Sequence, residues 1–202
     1  SAVTTATGST IRVRGSGVGG GPTATFTNPL TNAAAIELTA ETAGYNGALI
    51  VPTLTNTATG TLTSLAGSGG TRTFTGTLVN AGAVSIPHDL ILTGVDAAHV
   101  NSGTITMTTG DLAVTMTGTT PSFTNTGTIA TNGRTFTVTG GTLDLLGGGV
   151  TGYTGRLVTT GAPTVRFTVP TVQPRVSFSA TTVLPDPFTV PANDSLRVLG
   201  GT

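Results

Sequence analysis

The sequence predicts an all-β protein, and within that class a β-solenoid with coils of roughly 20–28 residues. An antiparallel β-sandwich is the alternative. Three observations predict the solenoid. Threonine fills 48 of the 202 positions and glycine 30. Apolar and polar residues alternate at period two through most of the chain. A short phrase, an apolar residue just ahead of an asparagine, returns about every two dozen residues.

The branched Cβ of threonine suits a pleated surface, whereas glycine marks turns and weakens helices. A Gly/Thr-rich chain could instead be disordered, but 37% hydrophobic residues in regular alternation argue for a packed core. The clearest alternation lies between Ser122 and Gly149. There Phe136 and Val138 alternate with Thr135, Thr137 and Thr139, and Leu143 and Leu145 with Thr142 and Asp144. Ile129, Phe136 and Leu143 fall seven apart, each opening a short strand. The expected core here is Phe123, Ile129, Phe136, Val138, Leu143 and Leu145.

The recurring phrase places Asn28, Asn56, Asn80, Asn101 and Asn125 at steps of 28, 24, 21 and 24 residues. Three short strands and Gly/Asn turns per step suit a solenoid, whose coils bury their apolar faces only by stacking. Asparagines at one corner of successive coils can hydrogen-bond along the stack as a turn ladder, and asparagine tolerates the left-handed conformation of a corner. An antiparallel sandwich explains the alternation but supplies no period near 24.

Two segments differ in texture. Residues 1–22 hold one strand, Thr10–Arg14, and a glycine run, expected as an N-terminal arm or cap and a hinge ahead of a solenoid over 23–202. From about residue 150 proline becomes frequent, so strands there are expected at edges, ends or corners. The phrase from Val190 reads as a further coil with a turn at Asn193–Asp194 and no polar cap, which calls for more chain or another molecule at that end.

Composition narrows the function classes. Only 8% of residues are charged, all eight basic residues are arginine, and the net charge is zero. No electrostatic footprint for nucleic acid or an anionic membrane is present. Without cysteine there is no thiolate metal site and no thiol catalysis. No apolar run reaches the length of a membrane helix, and no basic-then-apolar leader opens the chain, so an exported form would have lost its signal peptide or be a piece of a longer chain.

The densest titratable cluster is His88, Asp89, Asp96 and His99, the weak candidates for a metal site. Adjacent His88 and Asp89 point to opposite faces of a strand, so the expectation is a solvated loop and no metal. Glycan-cleaving solenoids need two acids at close range. Here Glu37, Glu41, Asp111, Asp144, Asp186 and Asp194 are scattered singly, with Asp111 and Asp144 the pair that could share a face. The Thr-x-Thr phrases (Thr53–Thr55, Thr61–Thr63, Thr73–Thr75, Thr104–Thr106, Thr115–Thr117, Thr135–Thr137) would match an ice lattice only on one face at constant register. Two tyrosines and no tryptophan give no platform for sugar stacking.

The stretch FTNTGTIATNGRTFTVTGGTLDLLGGGVTGYTG resembles the repeats of bacterial secreted β-helix proteins, the autotransporter passenger and filamentous-haemagglutinin-like adhesin class, over roughly residues 53–155. The resemblance implies a right-handed parallel β-helix, export from a bacterium and a place at the cell surface, and carries over no catalytic residue. The expected function is a non-enzymatic extracellular structural protein, a self-associating block of a filament or layer. The alternative is the stalk or passenger of a larger adhesin for cells, matrix or glycans; a polysaccharide-active enzyme or an ice-binding protein stands behind both. Expected partners are further copies of the chain or the rest of a longer surface protein, with no cofactor, no nucleic acid and no direct membrane insertion.

Overall fold

The computed structural model describes residues 2–18, 21–152, 154–167 and 175–178, and the strand at 196–198. It is a parallel β-solenoid of about seven turns with no helix among the described residues. Expectations for the prolines from Pro170 onward, for Asp186 and for the Asn193–Asp194 turn lie outside the described residues.

The chain lays down its coils in order. The first holds β1 (Val3–Thr4) and β2 (Thr10–Gly15), the second β3 (Thr23–Thr25), β4 (Leu30–Asn32) and β5 (Ala35–Ala40). The third holds β6 (Gly47–Asn56) and β7 (Thr61–Ser64), the fourth β8 (Arg72–Asn80) and β9 (Ala83–Ile86). β10 (Leu90–Val95), β11 (Ala98–Asn101) and β12 (Thr104–Met107) make the fifth, and β13 (Leu112–Thr117), β14 (Ser122–Asn125) and β15 (Thr128–Ala130) the sixth. β16 (Thr135–Thr139), β17 (Thr142–Asp144) and β18 (Gly149–Thr151) make the seventh; β19 (Arg156–Thr160), β20 (Thr164–Arg166), β21 (Arg175–Phe178) and β22 (Leu196–Val198) follow.

Every pairing among these strands is parallel and joins one coil to the next, which removes the antiparallel sandwich. Three faces result. One is a seven-stranded sheet running β2, β5, β7, β9, β12, β15, β18. The other two belong to a 15-stranded sheet, because β6 and β8 run unbroken round the corner between them. The corner needs one extra residue in β6, where the register shifts between Ile50 and Thr53. It also needs Gly76 opposite, at φ +129°; a Cβ there would lie 1.7 Å from the Val51 carbonyl oxygen.

Alternation sends one set of side chains inward on every face. Ile11, Ile36, Leu62, Val84, Ile105, Ile129 and Val150 stack in register on the seven-stranded face. Leu49, Phe74, Leu92, Val114 and Val138 do so on a second face. Phe123, Ile129, Phe136, Val138, Leu143 and Leu145, the expected core of the central stretch, are all buried. The rings of Phe123 and Phe136 meet at 5.7 Å between centroids across the interior.

The solenoid includes more of the N-terminus than the boundary at residue 23 allows. β2 pairs residue for residue with β5, from Thr10 opposite Ala35 to Gly15 opposite Ala40, and β1 pairs with β4. The expected arm is therefore a coil: Ile11 and Val13 continue the inward columns of Ile36 and Leu38. Across the outward side of the same strands Arg12 pairs with Glu37, and Arg14 with Glu41 at 3.0 Å.

Removing the ring in Phe136→Ala will cost about 3–5 kcal/mol of unfolding free energy, and Thr137→Ala beside it, on the outward side, within about 0.5 kcal/mol. Urea denaturation of the two variants checks the inward and outward assignment.

Candidate functional site

Within the core the principal polar feature is a ladder of asparagine side chains. Asn32 Nδ2 donates to Asn56 Oδ1, Asn56 to Asn80, Asn80 to Asn101 and Asn101 to Asn125, each at 2.7 Å. All five residues are buried. Each amide group also serves its own corner: Asn56 Nδ2 reaches the Gly60 carbonyl at 3.1 Å, and Asn125 Nδ2 the Gly127 carbonyl at 3.2 Å. A carboxamide can donate twice and accept twice, so one residue type satisfies both its neighbour and the turn.

The ladder ends for readable reasons. At its foot the Thr5 hydroxyl, in register with Asn32, donates to Asn32 Oδ1 at 2.9 Å. At its head the next coil supplies Leu145, because β14 and β17 align Phe123 with Leu143 and Thr124 with Asp144. Asn28 is not a rung. It is exposed, and Pro29 follows it, whereas Asn32 ends β4 one 24-residue step before Asn56.

The acids form a second set of staples, on the outside. Asp89 and Asp111 occupy the same corner of successive coils. Asp89 Oδ1 accepts the Asp111 amide at 2.8 Å, and Asp111 Oδ1 accepts the Thr135 amide at 2.9 Å. Asn46 does the same for the Thr71 amide at 2.9 Å. At another corner Asp96, at φ 50°, accepts the Thr119 and Thr120 amides at 2.6 and 2.8 Å. Scattered in sequence, these side chains share one task, taking a backbone N–H from the coil above.

The four weak metal candidates are consequently dispersed. His88 and Asp89 sit at one corner, Asp96 at the next, and His99 points into the core. Among the described residues no three of His, Asp and Glu come close enough to hold a metal ion. The expected solvated loop is instead strand, corner and strand: β10, Asp96–Ala97 and β11. His99 fills the inward slot held by Leu78 one coil below and Phe123 one coil above, so it is packed as a core residue. Burial pulls its pKa down to about 4.

Asp111 and Asp144 do not form an acid pair. Asp111 stands at the corner before β13, while Asp144 lies in β17 on another face and binds Arg166 Nη1 at 2.9 Å. The Thr-x-Thr phrases divide among three faces: Thr61–Thr63 and Thr104–Thr106 on the seven-stranded sheet, Thr53–Thr55 in the second half of β6, and the rest on the face of β8, β13 and β16. A single outward column, Thr75, Thr93, Thr115, Thr139 and Thr160, does run in register. Its neighbours Ile91, Ala113 and Val158 break the second column that a paired lattice needs.

Among the described residues two grooves stand out. One, of about 250 Å³, lies beside the Asp89–Asp111 corner and is lined among others by His88, Ile91, Ala113 and Thr137. The other, of about 310 Å³, follows the β6–β8 corner, where Phe26, Ile50, Pro52 and Val95 surround Gly76. Val95 is 76% exposed there.

Arg72 is a feature that sequence reasoning missed. It occupies the inward slot in register with Leu90 and is fully buried. Its guanidinium donates to the carbonyls of Leu65, Gly69 and Gly70, which shapes the loop between β7 and β8. Burial lowers its pKa. The signal lay in the alternation itself, since Arg72 precedes inward Phe74 by two residues.

The chain matches no protein-family model, no curated protein and no solved structure.

Asn80→Ala will cost roughly 2–4 kcal/mol, since it strands buried groups on both Asn56 and Asn101. Asn125→Leu at the head of the ladder will cost less than half of that. Equal losses in urea denaturation would show that the amides act independently.

Proposed function

We propose that this protein is a non-enzymatic structural protein outside the bacterial cell, a self-associating building block of a surface filament or layer. The observation that carries this reading is the axial stack itself: each coil completes its backbone through strands of the neighbouring coil, so a coil of a second copy can add to it in the same way. β1 and β2 of the first coil and β3 of the second each pair on one side only among the described residues. Their other edges direct backbone donors and acceptors along the solenoid axis. Such an edge is a template for another strand, and a parallel coil of a second copy fits it without new chemistry.

The surface supports the same reading. Outward positions are largely threonine with a few exposed ion pairs, and the net charge is zero, so little repulsion keeps copies apart. A stack rising about 4.8 Å per coil would extend as a rod. The resemblance of residues 53–155 to secreted β-helix repeats supports the cell surface as the place of assembly.

The edge offers a selective test. Val3 and Thr5 donate their amides to the Pro29 and Thr31 carbonyls of the second coil, both at 3.0 Å, so the Thr4 amide points the other way. Thr4→Pro removes a donor from the open edge and none from the fold. The variant will keep the unfolding midpoint of the parent and lose assembly, read by sedimentation and by electron microscopy beside native surface material. Isolated rods in both samples, or rods tethered to a much larger body, would overturn the building-block reading and favour a stalk.

A further inference from the structure

His99 is the one imidazole in the described core, and its surroundings are unusual for a buried base. The paired register between β8 and β11 starts at Val79 opposite Val100. One residue earlier the Leu78 amide donates at 3.2 Å to His99 Nδ1, so the ring stands where a main-chain carbonyl would serve a regular ladder. Between the pairs Thr75–Thr93 and Val79–Val100 the fifth coil spends six residues where β8 spends three, and this wider corner accounts for the late start of the pairing. Nδ1 can accept only while it carries no proton, which fixes the neutral ring with its hydrogen on Nε2. Nε2 itself is buried without a partner.

No charge compensates a second proton. The facing residue from β8 is Leu78 and from β14 Phe123, whose ring lies 6.2 Å away. β10 and β12 turn Leu90, Leu92, Ile105 and Met107 to the core. Asp96, the nearest acid in sequence, is held at the exposed corner by the Thr119 and Thr120 amides. The guanidinium of Arg72 is directed at the loop carbonyls of Leu65, Gly69 and Gly70. Protonation therefore sets an N–H against the Leu78 N–H and places a bare cation among leucine and phenylalanine.

We propose that His99 is an acid-sensitive latch: protonating its ring unpairs β11 from β8 and opens the solenoid between its fourth and fifth coils. Two outer coil groups, each with its own stacked core, remain on either side. The latch belongs to the fold and holds whether or not copies assemble.

The sign follows from linkage. The folded ring titrates near 4 and a free imidazole near 6.5, so the pairing is fully stable above about pH 6.5 and weakens as pH falls from there toward 4. The opening constant at pH 5 is about 20-fold that at pH 7. Amide hydrogen exchange, corrected for the intrinsic effect of pH, reads this directly. Protection of the Leu78 and Val100 amides will fall about 20-fold from pH 7 to pH 5, and that of Ile36 and Ile129 will hold. His99→Phe, which continues the Leu78–Phe123 column, will flatten the fall, and His88→Gln will leave it intact. Nitrogen shifts of the wild-type ring will show the Nε2–H form at pH 7 and no titration above pH 5. A ring titrating near 6.5 in the folded protein, an undiminished fall in His99→Phe, or equal loss of protection in every coil would overturn the latch.

Discussion

No coil of this protein can satisfy its own backbone. Each strand leaves its N–H and C=O groups pointing up and down the axis, and only the coils on either side complete them. Everything else in the structure depends on that constraint, because coils that must bond to one another must also agree on register. A slip of one residue would turn the leucine and isoleucine columns to solvent and bring threonine inside. The asparagine ladder from Asn32 to Asn125 makes such a slip costly, since its buried amides find partners in one alignment only.

Polar side chains in this molecule mostly finish what the strands leave undone. Asn46, Asp89, Asp96 and Asp111 collect amides at corners where the chain turns away from its neighbour. Arg72 collects carbonyls in the longest corner loop of its coil. With so few charged residues in the chain, this use leaves outward faces of threonine whose hydroxyls meet water. The same axial pairing that completes each coil is the chemistry that the proposed assembly uses between copies.

Fold class, coil length and the central core were legible because period-two alternation and a step near 24 are properties of neighbouring residues. What escaped reading depends on residues a whole coil apart. Leu30-Thr-Asn32 carries the same phrase as Phe26-Thr-Asn28, and only the equal steps to Asn56 and Asn80 separate the rung from the turn. His99 read as part of a solvated loop because His88 and two aspartates lie near it in sequence. Aligned on Asn101, it falls in the slot of Leu54, Leu78 and Phe123, two residues before the asparagine. The corner carboxylates were seen as isolated acids, since the amide each one binds lies more than twenty residues onward. The boundary at residue 23 failed for a related cause: the partners of Thr10–Gly15 lie 25 residues onward in Ala35–Ala40, and the glycine-rich composition that follows Gly15 resembles a linker.

The unequal steps of the ladder carry a consequence for how such a chain changes over generations. Three steps are 24 residues and one is 21, yet the rung distance is 2.7 Å in all of them. Corners absorb the difference while the faces stay aligned. A duplication or loss of one whole coil in the gene would therefore yield a longer or shorter rod with the same interior, whereas an insertion within a strand would shift every column above it. Length is then a trait that selection can adjust in units of one coil, with the three outward faces inherited unchanged.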